Sequence, residues 1–451
     1  MATQPFDVVV IGAGPAGETV ASRTADAGMR TAIVERELIG GECAYWACIP
    51  SKTLLRPGAV VNEAVRTAGT GSPSLRFDKV VPYRDEMIRH LDDSGQAQEY
   101  EDQGVTVFRG VGSLRGPNTV AVGDQTIKSE RIVLATGSDP LIPPIDGLEQ
   151  AGYWTNREAT TLKKVPASVT IMGGGPVGVE LAQMLRRFGS EVHLLEASER
   201  LLSREDERVS ELLLEALRDA GVDVRLDAEV SSVSAAGNGR TVRFADQEVT
   251  ADELIVAIGR RPRLGEVSLE NVGIEPGEKG IEVDERCRAA EGIWAIGDVT
   301  GVMPFTHVGK YQGRVACADI LARPVRAEYG AVPRVVFSDP EVAAVGMTET
   351  QATEAGIEPV TSHIRLAESI ARPWTYETDP RGELCVIADP KAQVLVGAWA
   401  VGPLAGEWIH YAALAIKTAV PLAVLKDTVA QFPTYTEAYL NALEALPTGL
   451  S

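Results

Sequence analysis

Two cysteines, Cys43 and Cys48, carry the most distinctive chemistry in the sequence. They lie in the segment 40–52, five positions apart. Five residues of straight helix rise about 7.5 Å, whereas a disulfide needs Cα atoms within about 4.4–6.8 Å. If the two pair, the backbone between them must be wound irregularly, with the bond at or near a helix start. A helix start lowers a thiol pKa, which suits a reversible redox disulfide.

The cysteine pair has two other interpretations. A zinc site would need a second pair of ligands at metal spacing, which the sequence does not offer, so no metal is predicted. Two unlinked buried cysteines stay open as a third interpretation. The remaining three cysteines are interpreted as small buried hydrophobes, because five sparse cysteines do not make a structural disulfide framework.

A repeated pattern predicts the elements that position this pair. Residues 6–35 and 168–196 each contain an apolar strand, a glycine turn, a helical stretch, a second strand and a glutamate 23 positions after the first glycine. This is the dinucleotide-binding fingerprint in its full context. Its glycines permit a tight turn, close approach to a pyrophosphate, and helix packing on the strand. The residues are Gly12, Gly14, Gly17 and Glu35 in the first copy and Gly173, Gly175, Gly178 and Glu196 in the second. We therefore expect two dinucleotides in one chain.

Together these motifs resemble the class I flavoprotein disulfide reductases, which include lipoamide dehydrogenase, glutathione reductase and mercuric reductase. The resemblance covers nearly the whole chain. It rests on the two fingerprints, on the cysteine segment 43–52, on Ala-Thr-Gly at 135–137 and on Ala-Ile-Gly-Asp at 295–298. The segment 337–349 looks like the opening of the family's interface domain.

The resemblance implies a role for each matching residue. Cys48 would lie against the flavin, Cys43 would be the outer thiol, and Lys52 would sit near flavin N5 and pair with Glu180. Asp298 would bind the ribityl chain. The implied catalytic residues are Cys43, Cys48, Lys52, Glu180 and Glu437. The implied FAD-binding residues are Gly12, Gly14, Gly17, Glu35, Gly41, Lys52, Thr136, Gly137 and Asp298. The implied NAD-binding residues are Gly173, Gly175, Gly178, Glu196 and Gly259.

The implied fold is α/β, with two doubly wound, Rossmann-like domains and a C-terminal α+β dimerisation domain. The FAD-binding domain would comprise residues 1–147 and 264–330, the NAD(P)-binding domain 148–263, and the interface domain 331–451. The resemblance also implies a homodimer, in which Phe432 would lie near Cys43 of the other chain.

The preference between the two nicotinamide nucleotides depends on residues after the second fingerprint. A carboxylate at Glu196 would repel a 2′-phosphate, which favours NADH. Arg200, a few residues on, would soften that preference, so NADPH stays open.

Phe432 breaks the family pattern. The family carries a His-Pro-Thr-x-x-Glu motif whose histidine is the acid/base for the outer thiol. Here Pro433, Thr434 and Glu437 match, but phenylalanine occupies the histidine position. General acid–base catalysis contributes about 10²–10⁴-fold, so ordinary disulfide exchange should be impaired to that degree unless another group substitutes. Tyr435 is one candidate, although its ordinary pKa near 10 makes it a poor base.

Two aromatic residues between the cysteines form a second departure. Tyr45 and Trp46 replace the smaller residues of the best-known members. They would narrow the substrate funnel, or stack on a flat acceptor, or only fill core space.

Composition restricts the partners. The chain has 451 residues, 45% of them hydrophobic, and a net charge of −20. Such an acidic surface repels nucleic acid and anionic membranes. No apolar stretch reaches the roughly 18–20 residues of a membrane span, and the first apolar run is too short for a signal peptide. We therefore expect a cytoplasmic protein without nucleic-acid or membrane partners.

Three functions fit these observations. The favoured one is an FAD-dependent oxidoreductase that passes electrons from NAD(P)H through a Cys43–Cys48 disulfide to a small acceptor needing no histidine, such as a quinone or metal ion. The alternative is a lipoamide dehydrogenase-like or other low-molecular-weight disulfide reductase with a substitute acid/base. A redox-sensing flavoprotein with little turnover is the third.

Overall fold

The structure is a computed structural model that describes residues 5–447 and divides the chain into two compact units. The first unit comprises residues 1–51, 82–141 and 259–328, and the second comprises residues 52–81, 142–258 and 329–451. Residues 1–4 and 448–451, at the outer ends of the first and last predicted domains, lie outside the described residues.

The first unit is built on a six-stranded sheet. Its strands follow the order Arg288–Ala290, Ile293–Ala295, Ile132–Leu134, Val8–Ile11, Thr31–Glu35, Thr106–Arg109. All neighbours are parallel except the first pair. The strand Val8–Ile11 is wholly buried because both faces of the sheet are covered. Its apolar run gives a strand rather than a helix because the glycine turn follows after only four residues.

Helices and smaller sheets complete the first unit. A three-stranded antiparallel sheet contains Gly112–Gly116, Thr119–Val122 and Gln125–Lys128, and a two-stranded one pairs Ser138–Pro140 with Arg260–Pro262. The helices, including three short 3₁₀ segments, are Pro15–Asp26, Gly41–Tyr45, Arg89–Leu91, Ser94–Asp102, Leu269–Val272, Gly297–Thr300 and Thr306–Ile320. Two further helices, Cys48–Arg66 and Phe77–Met87, have residues in both units.

The second unit contains the second fingerprint in a four-stranded parallel sheet. The strand order is Asp223–Arg225, Glu191–Leu195, Ser168–Met172, Glu253–Val256. An antiparallel meander of Val230–Ala236, Gly239–Phe244 and Gln247–Ala251 follows the sheet's Asp223–Arg225 strand in the chain. The helices of this part are Leu148–Ala151, Asn156–Thr161, Pro176–Arg187 and Glu207–Asp219. Both parallel sheets have the strand–helix–strand order of the fingerprint, which confirms the predicted α/β class.

The C-terminal part of the second unit is an antiparallel sheet covered by short helices. Its five strands follow the order Arg334–Val336, Glu341–Gly346, Val394–Gly402, Glu383–Asp389, Val360–Arg365. The helices are Glu349–Glu354, Leu366–Ser369, Arg372–Tyr376, Ala405–Trp408, His410–Lys417, Leu422–Lys426 and Glu437–Glu444. Buried side chains from this sheet and from the parallel sheet share one core.

A partly buried ion network ties the elements of the second unit together. Asp339 accepts hydrogen bonds from Arg66 at 2.9 Å, Arg187 at 2.7 Å and Asn62 at 3.2 Å. Burial penalises its carboxylate, but the hydrogen bonds and charges of the arginines outweigh this and hold the pKa of Asp339 below its usual range. Arg66 also pairs with Glu377 at 2.6 Å. The loop before the strand Glu341–Gly346 is therefore fixed by charge as well as by packing.

The domain boundaries predicted from the sequence stay predictions. The units group residues by contact, and the second unit contains both the region predicted to bind NAD(P) and the predicted interface domain. Across residues 5–447, no helix combines the length and the apolar character that crossing a bilayer requires.

Candidate active site

The structure places Cys43 and Cys48 on consecutive helices with a break between them. Cys43 lies in the short helix Gly41–Tyr45, and Cys48 is the first residue of the helix Cys48–Arg66. The first helix ends at Trp46, where the backbone has φ −132° and ψ −7°. The interrupted winding and the helix start that the spacing predicts are both present. The side chains interact directly, since hydrogen bonding with Cys48 is the main cause, with burial, that raises the pKa of the Cys43 thiol.

Thr306 contacts the cysteine pair and was missed in the sequence. It is the first residue of the helix Thr306–Ile320, and its Oγ1 lies 3.4 Å from Cys48 Sγ. Its hydrogen bond and the charge of Lys310 act to lower the pKa of the Cys43 thiol, without outweighing the raising effects of Cys48 and burial. Since 258 positions separate Thr306 from Cys48, no local motif connects them.

The two aromatic residues between the cysteines have different surroundings. Tyr45 is fully buried and its ring lies beneath the Arg89 guanidinium, so it fills core space. Trp46 is half-buried and its ring centroid lies 5.7 Å from that of Tyr45. Of the two residues, only Trp46 retains a partly accessible ring for a flat acceptor.

In the second unit, Lys52 and Glu180 form the ion pair that the family pattern implies. Lys52 Nζ donates to Glu180 Oε2 at 2.7 Å, and the backbone N–H of Phe337 donates to Glu180 Oε1 at 3.0 Å. The ammonium also lies 4.8 Å from the centroid of the Phe337 ring. Glu180 is buried, and each of its oxygens accepts one of these hydrogen bonds. The carboxylate therefore fixes both the lysine side chain and the backbone at Phe337.

The first fingerprint has the geometry of a phosphate-binding turn. Gly12 has φ +103°, and a Cβ on Gly17 would lie 2.0 Å from the Gly12 carbonyl oxygen, so neither position admits a side chain. A Cβ on Gly14 would meet no atom within 4 Å. The space before the helix Pro15–Asp26 is therefore open, and a helix N-terminus suits a phosphate. Glu35 accepts from the backbone N–H groups of Ala13 and Glu37, each at 2.7 Å. These residues fit the adenosine diphosphate portion of FAD.

Of the other residues assigned to FAD by the resemblance, Lys52 belongs to the second unit, and the remaining ones lie in two places in the first unit. A Cβ on Gly41, which has φ +57°, would lie 2.9 Å from Gly14 Cα, so the cysteine turn rests on the fingerprint. Asp298 Oδ2 accepts a hydrogen bond from Ser138 Oγ at 2.6 Å. Ser138 directly follows Gly137, which has φ +75°. Thr136 is occupied by a hydrogen bond to the Arg263 carbonyl. Ser138 was missed because its role depends on a residue 160 positions away.

The second fingerprint repeats the first almost contact for contact. Gly173 has φ +108°, and a Cβ on Gly178 would lie 1.8 Å from the Gly173 carbonyl oxygen, whereas one on Gly175 would meet nothing within 4 Å. Glu196 accepts from the backbone N–H groups of Gly174 at 2.6 Å and Ser198 at 2.8 Å. Gly259, predicted to turn the chain beside the nucleotide, has φ +138° but belongs to the first unit.

Arg200 is held away from the role considered for it in the sequence. Its guanidinium donates to the carbonyl oxygens of Ser203 and Glu205, each at 2.8 Å, and to Ser210 Oγ at 3.3 Å. These neighbouring groups hold the guanidinium in a local turn.

In the C-terminal segment, the position of the family's histidine holds Phe432, whose side chain cannot carry a proton. Phe432 is 72% exposed. Tyr435, the tyrosine considered as a substitute, is buried, and burial raises its pKa further. Within residues 5–447 its hydroxyl has no hydrogen-bond partner. It is therefore a worse acid/base than an ordinary tyrosine. Glu437 begins the helix Glu437–Glu444, and its buried Oε2 meets no hydrogen-bond partner among the residues that the structure describes.

Two of the five histidines are engaged elsewhere in the second unit. His193 Nδ1 lies 3.0 Å from Asp223 Oδ2, and His363 Nε2 lies 3.4 Å from Cys385 Sγ. In the part of the chain that the structure describes, no group of three or more histidine, cysteine, aspartate or glutamate side chains is arranged to hold a metal ion.

Comparisons with known proteins identify relatives along the whole chain. Residues 6–313 match the family model described as pyridine nucleotide-disulphide oxidoreductase, and residues 332–443 match the dimerisation domain of the same family. The chain is 32% identical to dihydrolipoyl dehydrogenase 3 of Haloarcula marismortui, covering 98% of this chain and 96% of that protein. It is 30% identical to a mercuric reductase of Staphylococcus aureus, covering 96% and 81%.

Solved structures give the same picture. The HOCl-induced flavoprotein disulfide reductase RclA of Escherichia coli, in its Cu(II) complex, matches with a TM-score of 0.87 at 30% identity, covering 98% of this chain and 99% of that one. LpdA of Mycobacterium tuberculosis matches with a TM-score of 0.87 at 25% identity, covering 97% and 99%. The predicted fold class, with two dinucleotide-binding domains and a dimerisation domain, is confirmed.

Proposed function

This chain belongs to the pyridine nucleotide-disulphide oxidoreductase family, and from that premise we propose that it passes electrons from NADH to a small acceptor that needs no histidine acid/base. The family consists of enzymes that use FAD and a pyridine nucleotide. The proposal adds the donor, the Cys43–Cys48 pair as the internal relay, and the class of acceptor.

The observation that carries the acceptor class is Phe432. A phenyl ring cannot exchange a proton, and Tyr435 is buried with a raised pKa. Reduction of a quinone or a metal ion does not require an enzyme acid at the outer thiol, whereas exchange with a disulfide gains about 10²–10⁴-fold from one. The Cu(II) complex named for the similar RclA structure makes Cu(II) one metal ion to test.

The donor follows from the second fingerprint. In this proposal the Glu196 carboxylate would face the 2′-phosphate of NADPH, and Arg200 donates to Ser203, Glu205 and Ser210. An unopposed carboxylate repels a phosphate and accepts from ribose hydroxyls. NADH is therefore the expected donor rather than NADPH.

The residues of this chain have separate tasks in the proposed reaction. Bound FAD supplies two-electron transfer between the nucleotide and the cysteine pair. Glu35 and Asp298 would hold its ribose and ribityl hydroxyls, and the helix at Pro15 its phosphates. Glu180 orients Lys52 through the 2.7 Å pair, so the ammonium presents a fixed positive charge. Cys43 would be the outer thiol and Cys48 the inner one.

A second function, reduction of lipoamide or another small disulfide, is favoured by Glu437. Its Oε2 has no hydrogen-bond partner in the described part of the chain, so this oxygen would be available to accept a hydrogen bond or a proton from a substrate. The 32% identity to a dihydrolipoyl dehydrogenase over 98% of the chain fits the same function. The missing histidine still has to be replaced.

The proposal includes a homodimer, because the match at residues 332–443 is to the family's dimerisation domain. Large apolar side chains in this region are exposed, with Val429 at 92% and Leu414 at 60%. In the dimer, Phe432 would lie near Cys43 of the other chain.

Anaerobic titration with NADH, followed by an acceptor screen, tests the proposal. FAD and a working disulfide together take up four electrons, so uptake of only two per FAD would refute the relay. The reduced enzyme is then mixed with quinones, Cu(II), lipoamide and glutathione disulfide. Reoxidation fastest by a quinone or metal ion is expected. Faster reoxidation by a disulfide, lost in Cys43→Ser while dye reduction is retained, would establish the second function instead.

A further inference from the structure

A chain of hydrogen bonds in the first unit leads from Arg260 to Asp298. Arg260 Nε donates to Ser138 Oγ at 2.7 Å, and Ser138 Oγ donates to Asp298 Oδ2 at 2.6 Å. Arg260 Nη2 also donates to the Ser138 carbonyl oxygen at 2.7 Å. Asp298 is the residue assigned above to the ribityl chain of FAD. Neither Arg260 nor Ser138 is among the residues to which the resemblance gives a role.

The chemistry of the three groups fixes the direction of this chain. A guanidinium has only donors and a hydroxyl has one proton, so Ser138 accepts from Arg260 and gives its own proton to Asp298. The separation of 2.6 Å lies within the range of about 2.5–2.7 Å for a hydroxyl that donates to an ionised carboxylate. Ser138 is buried, so water competes little for its hydroxyl. The serine therefore holds Asp298 Oδ2 and sets the direction of Oδ1.

A short antiparallel ribbon keeps Arg260 beside Ser138. The strands Ser138–Pro140 and Arg260–Pro262 pair with Arg260 opposite Pro140, so Ser138 is its diagonal neighbour two residues away. A long side chain reaches a diagonal neighbour across such a pair. Because backbone pairing sets the register, the guanidinium is held at the serine by the sheet itself.

The same guanidinium contacts the short helix that carries Cys43. Arg260 Nη2 lies 3.9 Å from Glu42 Oε2, and the two side chains are only 23% and 20% exposed. Glu42 directly precedes Cys43. Its carbonyl oxygen accepts from the backbone N–H groups of Trp46 at 2.9 Å and Ala47 at 2.8 Å. Glu42 therefore anchors the cysteine turn, residues 43–48.

We propose that Arg260 is a positioning residue for both FAD and the cysteine turn. Through Ser138 it orients Asp298 toward the ribityl chain of FAD. Through Glu42 it holds the turn between the two cysteines. The inference rests on the proposed placement of the ribityl chain at Asp298. It goes further because it makes one arginine responsible for how tightly the flavin is held and for how firmly the turn is held.

The rate of FAD release tests the connection through Ser138. The holoenzyme is diluted into buffer without FAD, and the fluorescence of the released flavin is followed. Ser138→Ala and Arg260→Met should each release FAD about 10-fold faster, as expected when a hydrogen bond to a charged group is lost. Because Arg260 acts through Ser138, the double variant should release FAD no faster than Ser138→Ala alone. A double variant whose effect is the product of the two single effects would overturn this connection.

Amide hydrogen exchange tests the connection through Glu42. With excess FAD present, exchange at the amides of Trp46 and Ala47 measures the opening of the cysteine turn. Arg260→Met and Glu42→Gln should each speed this exchange by about 2- to 5-fold, the effect of losing a partly exposed ion pair. Ser138→Ala should leave it unchanged. Unchanged exchange in both Arg260→Met and Glu42→Gln would overturn the coupling.

Arg261→Met is the matched control. Arg261 is the next residue of the same strand and is exposed. Its side chain points to the other face of the ribbon, because successive side chains alternate along a strand. The variant removes the same charge one position away, so FAD release and amide exchange should both equal those of the wild type. Changes as large as those of Arg260→Met would overturn the assignment to Arg260.

Asp298→Asn separates this inference from the placement on which it rests. Unchanged FAD release in Asp298→Asn would refute the placement of the ribityl chain and the role of Arg260 with it. Faster release in Asp298→Asn, without a change in Ser138→Ala and Arg260→Met, would overturn only the role of Arg260. Neither measurement uses NADH or an acceptor, so both are independent of whether the proposed electron transfer occurs.

Discussion

At the scale of single residues, the proposed acceptor preference rests on Phe432. The residues around it keep the pattern of a disulfide reductase, because Pro433, Thr434 and Glu437 are all in place. The side chain itself is exposed and apolar. A single substitution should therefore restore the missing proton carrier without rebuilding the segment.

Phe432→His should increase kcat/KM for NADH-dependent lipoamide reduction at least about 10-fold, since a positioned acid/base contributes about 10²–10⁴-fold. Quinone reduction should change less than twofold. Phe432→Leu is the control for loss of the ring. If both variants reduce lipoamide at the same rate, the absence of histidine does not limit the reaction.

Glu18 should make stability depend on pH. Burial raises its pKa from 4.5 to about 7, although Lys310 and Arg89 oppose the shift. The folded state therefore binds this proton more tightly than the unfolded state. The contribution of this proton to the free energy of unfolding is complete below pH 4.5 and is lost as the pH rises through 7. The reason is that the unfolded state releases the proton first, so the folded state must either hold it against the solution or bury a charged carboxylate.

Glu18→Gln should consequently be more stable than the wild type at pH 8, by about 2–3 kcal/mol, and the difference should shrink toward zero near pH 4.5. Denaturant unfolding across this range measures it. The exposed Glu101→Gln should show no such trend. A pH-independent difference for Glu18→Gln would mean that the carboxyl is not titrating in this window.

At the scale of elements, different glycines of each fingerprint turn serve folding and nucleotide binding. A Cβ on Gly178 would lie 1.8 Å from the Gly173 carbonyl oxygen, whereas Gly175, three positions earlier, faces open space. The third glycine is needed for the helix Pro176–Arg187 to pack on its strand. The second is needed only if a phosphate approaches the backbone there.

Gly178→Ala should lower the free energy of unfolding by about 2–4 kcal/mol, in the upper range for a steric clash in a core. Gly175→Ala should leave it within about 0.5 kcal/mol but weaken NADH binding. Thermal unfolding without nucleotide and NADH titration of each variant separate the two effects. Unchanged NADH affinity in Gly175→Ala would mean that the pyrophosphate does not lie against this residue.

The elements also show what the sequence could and could not predict. The fingerprints and the broken helix at Cys43 and Cys48 were predictable, because glycine positions and strand length act over a few residues. Thr306 beside Cys48, Ser138 beside Asp298, and Arg66 beside Asp339 were not, because each pair depends on how distant segments pack. The burial of Tyr435 was missed for the same reason, and it removed a candidate acid/base.

At the scale of the whole molecule, the acidic chain is expected to pair with a second copy through its C-terminal part. Leu414 is 60% exposed on the helix His410–Lys417, so burying it against a partner would remove a large apolar area from water. Leu414→Glu should shift the particle from twice the mass of one chain to that of a single chain in light scattering. Val325→Glu, at an exposed apolar residue of the first unit, should remain dimeric. A monomeric wild type would refute the homodimer.

The hydrogen bonds that Arg200 forms with Ser203, Glu205 and Ser210 limit how easily this protein could be re-engineered to bind a coenzyme with a 2′-phosphate. Neutralising Glu196 alone would remove repulsion without supplying a cation, because the Arg200 guanidinium already donates to Ser203, Glu205 and Ser210. A redesign would have to loosen that loop as well, so the proposed preference for NADH would depend on the backbone around Arg200 as much as on the Glu196 side chain.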